Sequence, residues 1–170
     1  MKTASAKDYF NDTLENKAII FLPGDGEVIK AGEGSCTLKV TSEISNDQLG
    51  IYEIVVPPRT LGARLHYHRY MDETFIVKSG TLTVQAAEKE SHLEAGSLIY
   101  IPRFTPHAFS NTSDTPVTVT LIFNPSQQRE GFFYGLFELL NAPQLDTAKF
   151  LKLYHKYDSF LVDPVTMQPA

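Results

Sequence analysis

The sequence predicts an all-β fold, a closed barrel or jelly roll, followed by a C-terminal helical extension. Three observations lead there. Between residues 18 and 125 about ten short apolar or alternating runs follow one another, divided by Gly, Pro and Asn/Asp turn signals, with no helical stretch between them. Beyond Asn124-Pro125 the apolar spacing changes from the two-residue period of strands to i, i+3, i+4, i+7. With 170 residues, 42% hydrophobic and 21% charged, the chain is long enough to bury one proper core.

Taken in order, residues 1–17 are a polar lead-in, loose or helical. Residues 18–125 form the barrel. AIIFL ends at Pro23-Gly24-Asp25-Gly26, and EVIKA ends at Gly32-Glu33-Gly34. CTLKVTS alternates, so Cys36 reads as a small core residue beside Leu38 and Val40 rather than as a nucleophile. LGIYEIVV stops at Pro57-Pro58; ARLHYH, ETFIVK, TLTVQA, HLEA, SLIYIP, HAFSN and VTVTLIF follow. Ser79-Gly80 is a tight turn joining ETFIVK to TLTVQA. Pairing across that turn puts Val77, Leu82 and Val84 on the face of Glu73 and Phe75. The same parity turns Arg64, His107 and Phe109 inward. Val117, Val119, Leu121 and Phe123 form another apolar face, of undetermined side. Residues 126–170 are a helical tail packed on the barrel. Its first helix carries Phe133, Leu136, Phe137 and Leu140 as a stripe and stops at Asn141-Ala142-Pro143; its second opens at Asp146 and carries Phe150, Leu153, Tyr154 and Tyr157.

The chemistry concentrates in two frames. HYHRYMDETFIVKSG is His66-x-His68, four residues, Glu73, six residues, Gly80. GSLIYIPRFTPHAFSN is Gly96, five residues, Pro102, four residues, His107, three residues, Asn111. Three of the five histidines lie inside them. Residues two apart on a strand share a face, so His66 and His68 can offer both imidazoles to one point. Imidazole together with carboxylate suits a first-row transition metal. An H-x-H alone is a common accident; the full spacing is not. Asp72 falls on the other strand face, which favours Glu73 as the ligand.

The combined pattern resembles the two motifs of the cupin superfamily, in which two histidines, a glutamate and a later histidine bind one metal inside a small β-barrel. Carried over, this implies His66, His68, Glu73 and His107 as ligands of one divalent transition metal. Fe, Mn, Ni, Zn and Cu all accept such a set. Two positions depart from the family pattern: Thr60 and Phe104 stand where glycines are usual, with Gly62 near the first. The ETFIVKSG strand and the Phe-rich tail look like the small quercetin-dioxygenase-like cupins. That likeness, over roughly residues 50–140, implies a metal-dependent dioxygenase acting on a small, largely apolar or aromatic enolic substrate, with Glu73 as general base. Arg64, Phe75, Val77, Leu82, Val84 and Phe109 are the expected pocket residues. As the one inward cation, Arg64 would serve an acidic substrate group or pair with a rim carboxylate. The alternatives are a non-catalytic small-molecule-binding or regulatory cupin, and a metal-assisted isomerase or lyase.

The rest narrows the surroundings. A net charge of -5 argues against nucleic acid or an anionic membrane. The single cysteine forbids an internal disulfide and suits a reducing compartment. MKTASAKDYFNDTLENK has no apolar signal-peptide core, and no apolar run reaches membrane-spanning length, so the expected location is cytoplasmic. Lys149, Lys152 and Lys156 form a solvated helix face, and His92 and His155 are surface residues. Phe132 and Leu139 broaden the first helix's stripe, which calls for cover by the barrel or a partner; a homodimer is the expected assembly. Phe132 and Phe133 are core residues that could also close the pocket mouth.

Overall fold

The computed structural model describes residues 9–15 and 17–170; the rest of the expected polar lead-in lies outside them. A single 3-10 turn, Tyr9–Asn11, precedes the barrel. The first strand begins only at Glu27, so the apolar run 18–22 is not a strand. Ile19, Ile20 and Leu22 are exposed there. Apolar residues form a strand only where a sheet edge accepts their backbone, and none of the described strands pairs with this run.

Among the described residues eleven strands follow, each antiparallel to its neighbours. They are β1 Glu27–Ala31, β2 Gly34–Val40, β3 Gly50–Val56, β4 Thr60–Tyr67, β5 Asp72–Ser79 and β6 Thr81–Ala86, then β7 Lys89–Glu94, β8 Leu98–Ile101, β9 His107–Asn111, β10 Val117–Asn124 and β11 Phe160–Leu161. One sheet has the order β1-β2-β3-β10-β5-β8 and the other β11-β4-β9-β6-β7. Neighbours distant in sequence, such as β3 with β10 and β4 with β9, make this a jelly roll rather than a meander.

The core lies between the two sheets. Alternation predicts it well: β3 buries Tyr52, Ile54 and Val56, and β5 buries Glu73, Phe75 and Val77. The face of β10 that parity left open is inward, with Val117, Val119, Leu121 and Phe123 all buried. Cys36 is buried in the same core, as its alternation requires. Gly80 sits at φ 76° in the β5–β6 turn, a conformation that costs a side chain but not glycine. Buried Asn111 holds the barrel end together: Nδ2 donates to the carbonyls of Val56, Pro57 and Thr115, while Oδ1 accepts from Ser113.

Among the described residues three α-helices accompany the barrel. The short α1, Ser42–Ser45, was not foreseen. The tail helices α2, Arg129–Leu140, and α3, Thr147–Lys156, stand where the spacing placed them. Asp146 caps α3 by accepting from the Lys149 amide, which satisfies one of the helix's free N–H groups. The deeply buried pair on α2 is Phe132 and Phe133, whereas Leu140 is exposed. The stripe is therefore rotated by about one position towards the barrel, with Phe133 packed 4.8 Å from the Tyr52 ring. Among the described residues no helix is long and apolar enough to cross a membrane.

Candidate metal centre

The four motif residues converge across the barrel from opposite sheets. His66 on β4 and His107 on β9 are direct register partners, and His68 follows the end of β4. Glu73 reaches across from β5, between Ile101 of β8 and Phe123 of β10. All four are buried. One ligand atom from each lies within 4.8 Å of the others, close to twice the metal–ligand distance of about 2.0–2.2 Å.

Hydrogen bonds fix which nitrogen each ring presents. Nδ1 of His66 donates to Arg64 O at 2.7 Å, Nδ1 of His68 to Asp158 O at 2.5 Å, and Nδ1 of His107 to Thr105 O at 2.9 Å. A carbonyl oxygen only accepts, so Nδ1 carries the proton in all three rings. The Nε2 lone pairs are left for the centre, an outer arrangement typical of metal-binding histidines. Glu73 Oε2 lies 2.8 Å from His107 Nε2 and 3.3 Å from His68 Nε2. With neutral rings, these contacts bring lone pair against lone pair, and only a cation or a shared proton makes them attractive.

The electrostatics favour the cation. Burial, reinforced by the His107 and His68 rings, holds the His66 pKa well below the usual imidazole value. Burial also lowers His68, against the opposing hydrogen bond to Glu73. For Glu73, burial alone would raise the pKa, but the contacts to His107 and His68 outweigh it and keep the carboxyl below its ordinary range. A buried carboxylate beside three imidazoles that donate through Nδ1 and turn Nε2 towards it is a donor set suited to a positive ion. Asp72, on the other strand face as expected, pairs instead with Arg103 at 3.0 Å.

Beside His66 opens a cavity of about 430 Å³, mostly apolar. Ile54 and Val56 of β3, Leu61, Gly62 and Ala63 of β4, Leu121 and Phe123 of β10, and Phe109 of β9 line its barrel side. Arg129, Phe132, Phe133, Leu136, Phe137 and Leu140 of α2, with Tyr154 of α3, line the other. Gly62 is required where it stands, because a Cβ there would meet the Phe109 ring at 2.0 Å.

The pocket expectations divide. Phe109 lines the cavity. Phe75, Val77, Leu82 and Val84 are inward as parity requires, but they are packed into the solid core and do not border it. Arg64 is exposed. The β4–β9 register explains this, since Ala63 pairs with Phe109 and His66 with His107, three residues against two. That bulge breaks the parity, so Leu65 and His66 are both buried and Arg64 is turned out. The inward cation is Arg129, which the sequence reading passed over. Its signal was present: an arginine opening the first turn of α2, where the helix dipole disfavours positive charge. Phe104, which replaces a usual glycine of the motif, does adopt a left-handed φ of 65°. Its amide donates to His68 O and its ring stacks on Tyr67, which holds the conformation.

The cupin-domain family model matches residues 52–123. No curated protein matches the sequence. Among solved structures, KdgF from Halomonas sp. aligns with a TM-score of 0.56 at 15% identity, over 64% of this chain and 94% of that one. A predicted oxalate decarboxylase from Thermotoga maritima aligns with a TM-score of 0.52 at 18% identity, over 55% and 82%. A sugar phosphate isomerase from Silicibacter pomeroyi aligns with a TM-score of 0.49 at 22% identity, over 55% of this chain and 60% of that one, less than two thirds of its length. The fold is a cupin jelly roll, and its cupin-domain match, residues 52–123, contains all four residues of the candidate metal centre.

Proposed function

We propose that the protein is a metal-dependent oxygenase of the quercetin-dioxygenase-like kind, acting on a small, largely apolar or aromatic enolic substrate. The observation that carries this reading is the three-histidine, one-carboxylate cluster beside an apolar cavity of about 430 Å³, a volume that suits a small organic ligand. A divalent transition metal bound there would supply Lewis acidity towards substrate oxygens and dioxygen.

The chain's own residues do the rest. His66, His68 and His107 hold their Nε2 atoms in place through three carbonyl partners. Glu73 uses Oε2 towards the histidines; its Oε1 has no hydrogen-bond partner among the described residues and is the atom free to take an enolic proton. Phe109, Phe132 and Phe133 give the cavity beside the cluster an apolar lining. The test is oxygen uptake on addition of enolic or phenolic compounds to the metal-loaded protein, abolished by chelation.

A metal-assisted isomerase or lyase would use the same residues. A predicted oxalate decarboxylase is among the barrels this chain is similar to, and at 18% identity that likeness carries fold only. Substrate conversion without oxygen consumption would favour this second reading. Tight binding without turnover would favour a non-catalytic binding protein.

A further inference from the structure

Arg129 is 4% exposed and stands in the wall of the cavity that also borders His66. Its Nη1 donates to Tyr157 O at 2.8 Å and to Ser159 Oγ at 3.0 Å. Nε is buried without a hydrogen-bond partner among the described residues, and both donations to Tyr157 and Ser159 come from Nη1. No carboxylate among the described residues forms an ion pair with it. Phe132 and Phe123 carry the guanidinium on their ring faces, at 3.8 and 4.7 Å. Those contacts support the cation but offer no acceptor to its N–H groups.

A guanidinium whose Nε–H is buried without a partner is costly, because burial without a hydrogen bond forfeits the solvation of that group. The free edge, Nε with Nη2, presents two parallel donors, the fork that a carboxylate accepts side-on with both oxygens. Arginine keeps its charge in any such setting. A divalent ion at the histidine cluster would engage the Glu73 carboxylate, the charge that most favours the Arg129 cation, and leave Arg129 still less compensated.

We infer that Arg129 anchors a carboxylate, and that the ligand of this cavity is a small apolar or aromatic acid. The acid group seats on the Nε–Nη2 edge, and the hydrocarbon body lies among Phe109, Phe132, Phe133 and Phe137. The inference names the substrate class of the site proposed above and rests on that cavity being the ligand site; it does not depend on oxygen chemistry.

The test is calorimetric titration of the full chain with benzoate, phenylacetate and 3-phenylpropanoate, each against its neutral amide. At least one acid should bind about tenfold or more tightly than its amide, the worth of a charge-assisted bidentate contact. The preference should persist in chelated, metal-free protein, disappear in Arg129→Met, and be partly kept in Arg129→Lys, which retains charge without the fork. Should Arg129→Met not fold, the wild type with and without metal, together with Arg129→Lys, still decides. Equal binding of acid and amide, no binding by any acid, or a preference that vanishes with the metal would each overturn the assignment. Acid binding without oxygen uptake leaves the anchor standing and removes the oxygenase. Uptake with neutral enols and no acid preference does the reverse.

Discussion

Nδ1 of His68 donates a 2.5 Å hydrogen bond to the main-chain oxygen of Asp158, 90 residues further along the chain. A residue of the helical tail thus orients a ligand of the barrel's candidate metal centre. The Asp158 carboxylate reinforces the join by accepting from the amides of Arg69 and Tyr70. The C-terminal segment is therefore part of the site's support, not an appendage.

One divalent metal ion per chain is the first expected outcome, measured by elemental analysis of protein prepared without an affinity tag. His68→Ala with His107→Ala should abolish it, and added metal should raise the melting temperature of the wild type alone, because an ion that binds only the folded state stabilises it. Full occupancy in the double variant would exclude these ligands.

Glu73→Gln separates ligand from base. The amide keeps an oxygen donor and the shape of the side chain but loses charge and basicity. Turnover should fall by about two orders of magnitude or more, while metal content falls far less. An unchanged kcat would exclude the base role.

Removing residues beyond Pro125 takes Phe132 and Phe133 from the core, β11 from its sheet and the Asp158 carbonyl from His68. The truncated chain should be insoluble or partly unfolded. The milder Phe133→Ala should cost about 3–5 kcal/mol in denaturant titration, the usual range for emptying a buried phenylalanine site. A loss under about 1 kcal/mol would show that α2 does not complete the core.

Cys36 links stability to alkaline pH. Burial pushes its thiol pKa up, with the Arg129 charge opposing more weakly. A raised folded pKa means that its contribution is fully present below the unfolded thiol value of about 8.5 and declines as pH rises above it. Native protein at pH 8 should leave Cys36 unreacted towards a disulfide reagent, whereas Cys36→Ser should remove this part of the alkaline slope. Rapid native labelling would contradict the buried assignment.

The assembly is expected to be a homodimer by light scattering at micromolar concentration. Leu98 and Tyr100 are exposed on β8, the edge of the six-stranded sheet, and a second subunit would cover them. A monomer would overturn this expectation, and a Tyr100→Lys variant that still dimerises would place the contact elsewhere.

The sequence by itself determined what depends on period and spacing. Alternation identified ten of the barrel strands, and the three-residue and four-residue recurrence located α2 and α3. The two motif frames single out His66, His68, Glu73 and His107, whose ligand atoms lie within 4.8 Å of one another in the fold. Those signals are local, so a single chain carries them. Tertiary structure decided whatever depends on what lies opposite. AIIFL has strand-like composition but no edge to pair with, and a bulge between β4 and β9 turns Arg64 outward against its parity. Phe75, Val77, Leu82 and Val84 do face inward, yet other side chains fill the space they border. Arg129 stands 56 residues from the nearest motif glutamate in sequence, and only the docking of α2 over the barrel brings its charge to the cavity wall. Strand parity is a property of one strand; burial of a charge depends on every element packed around it.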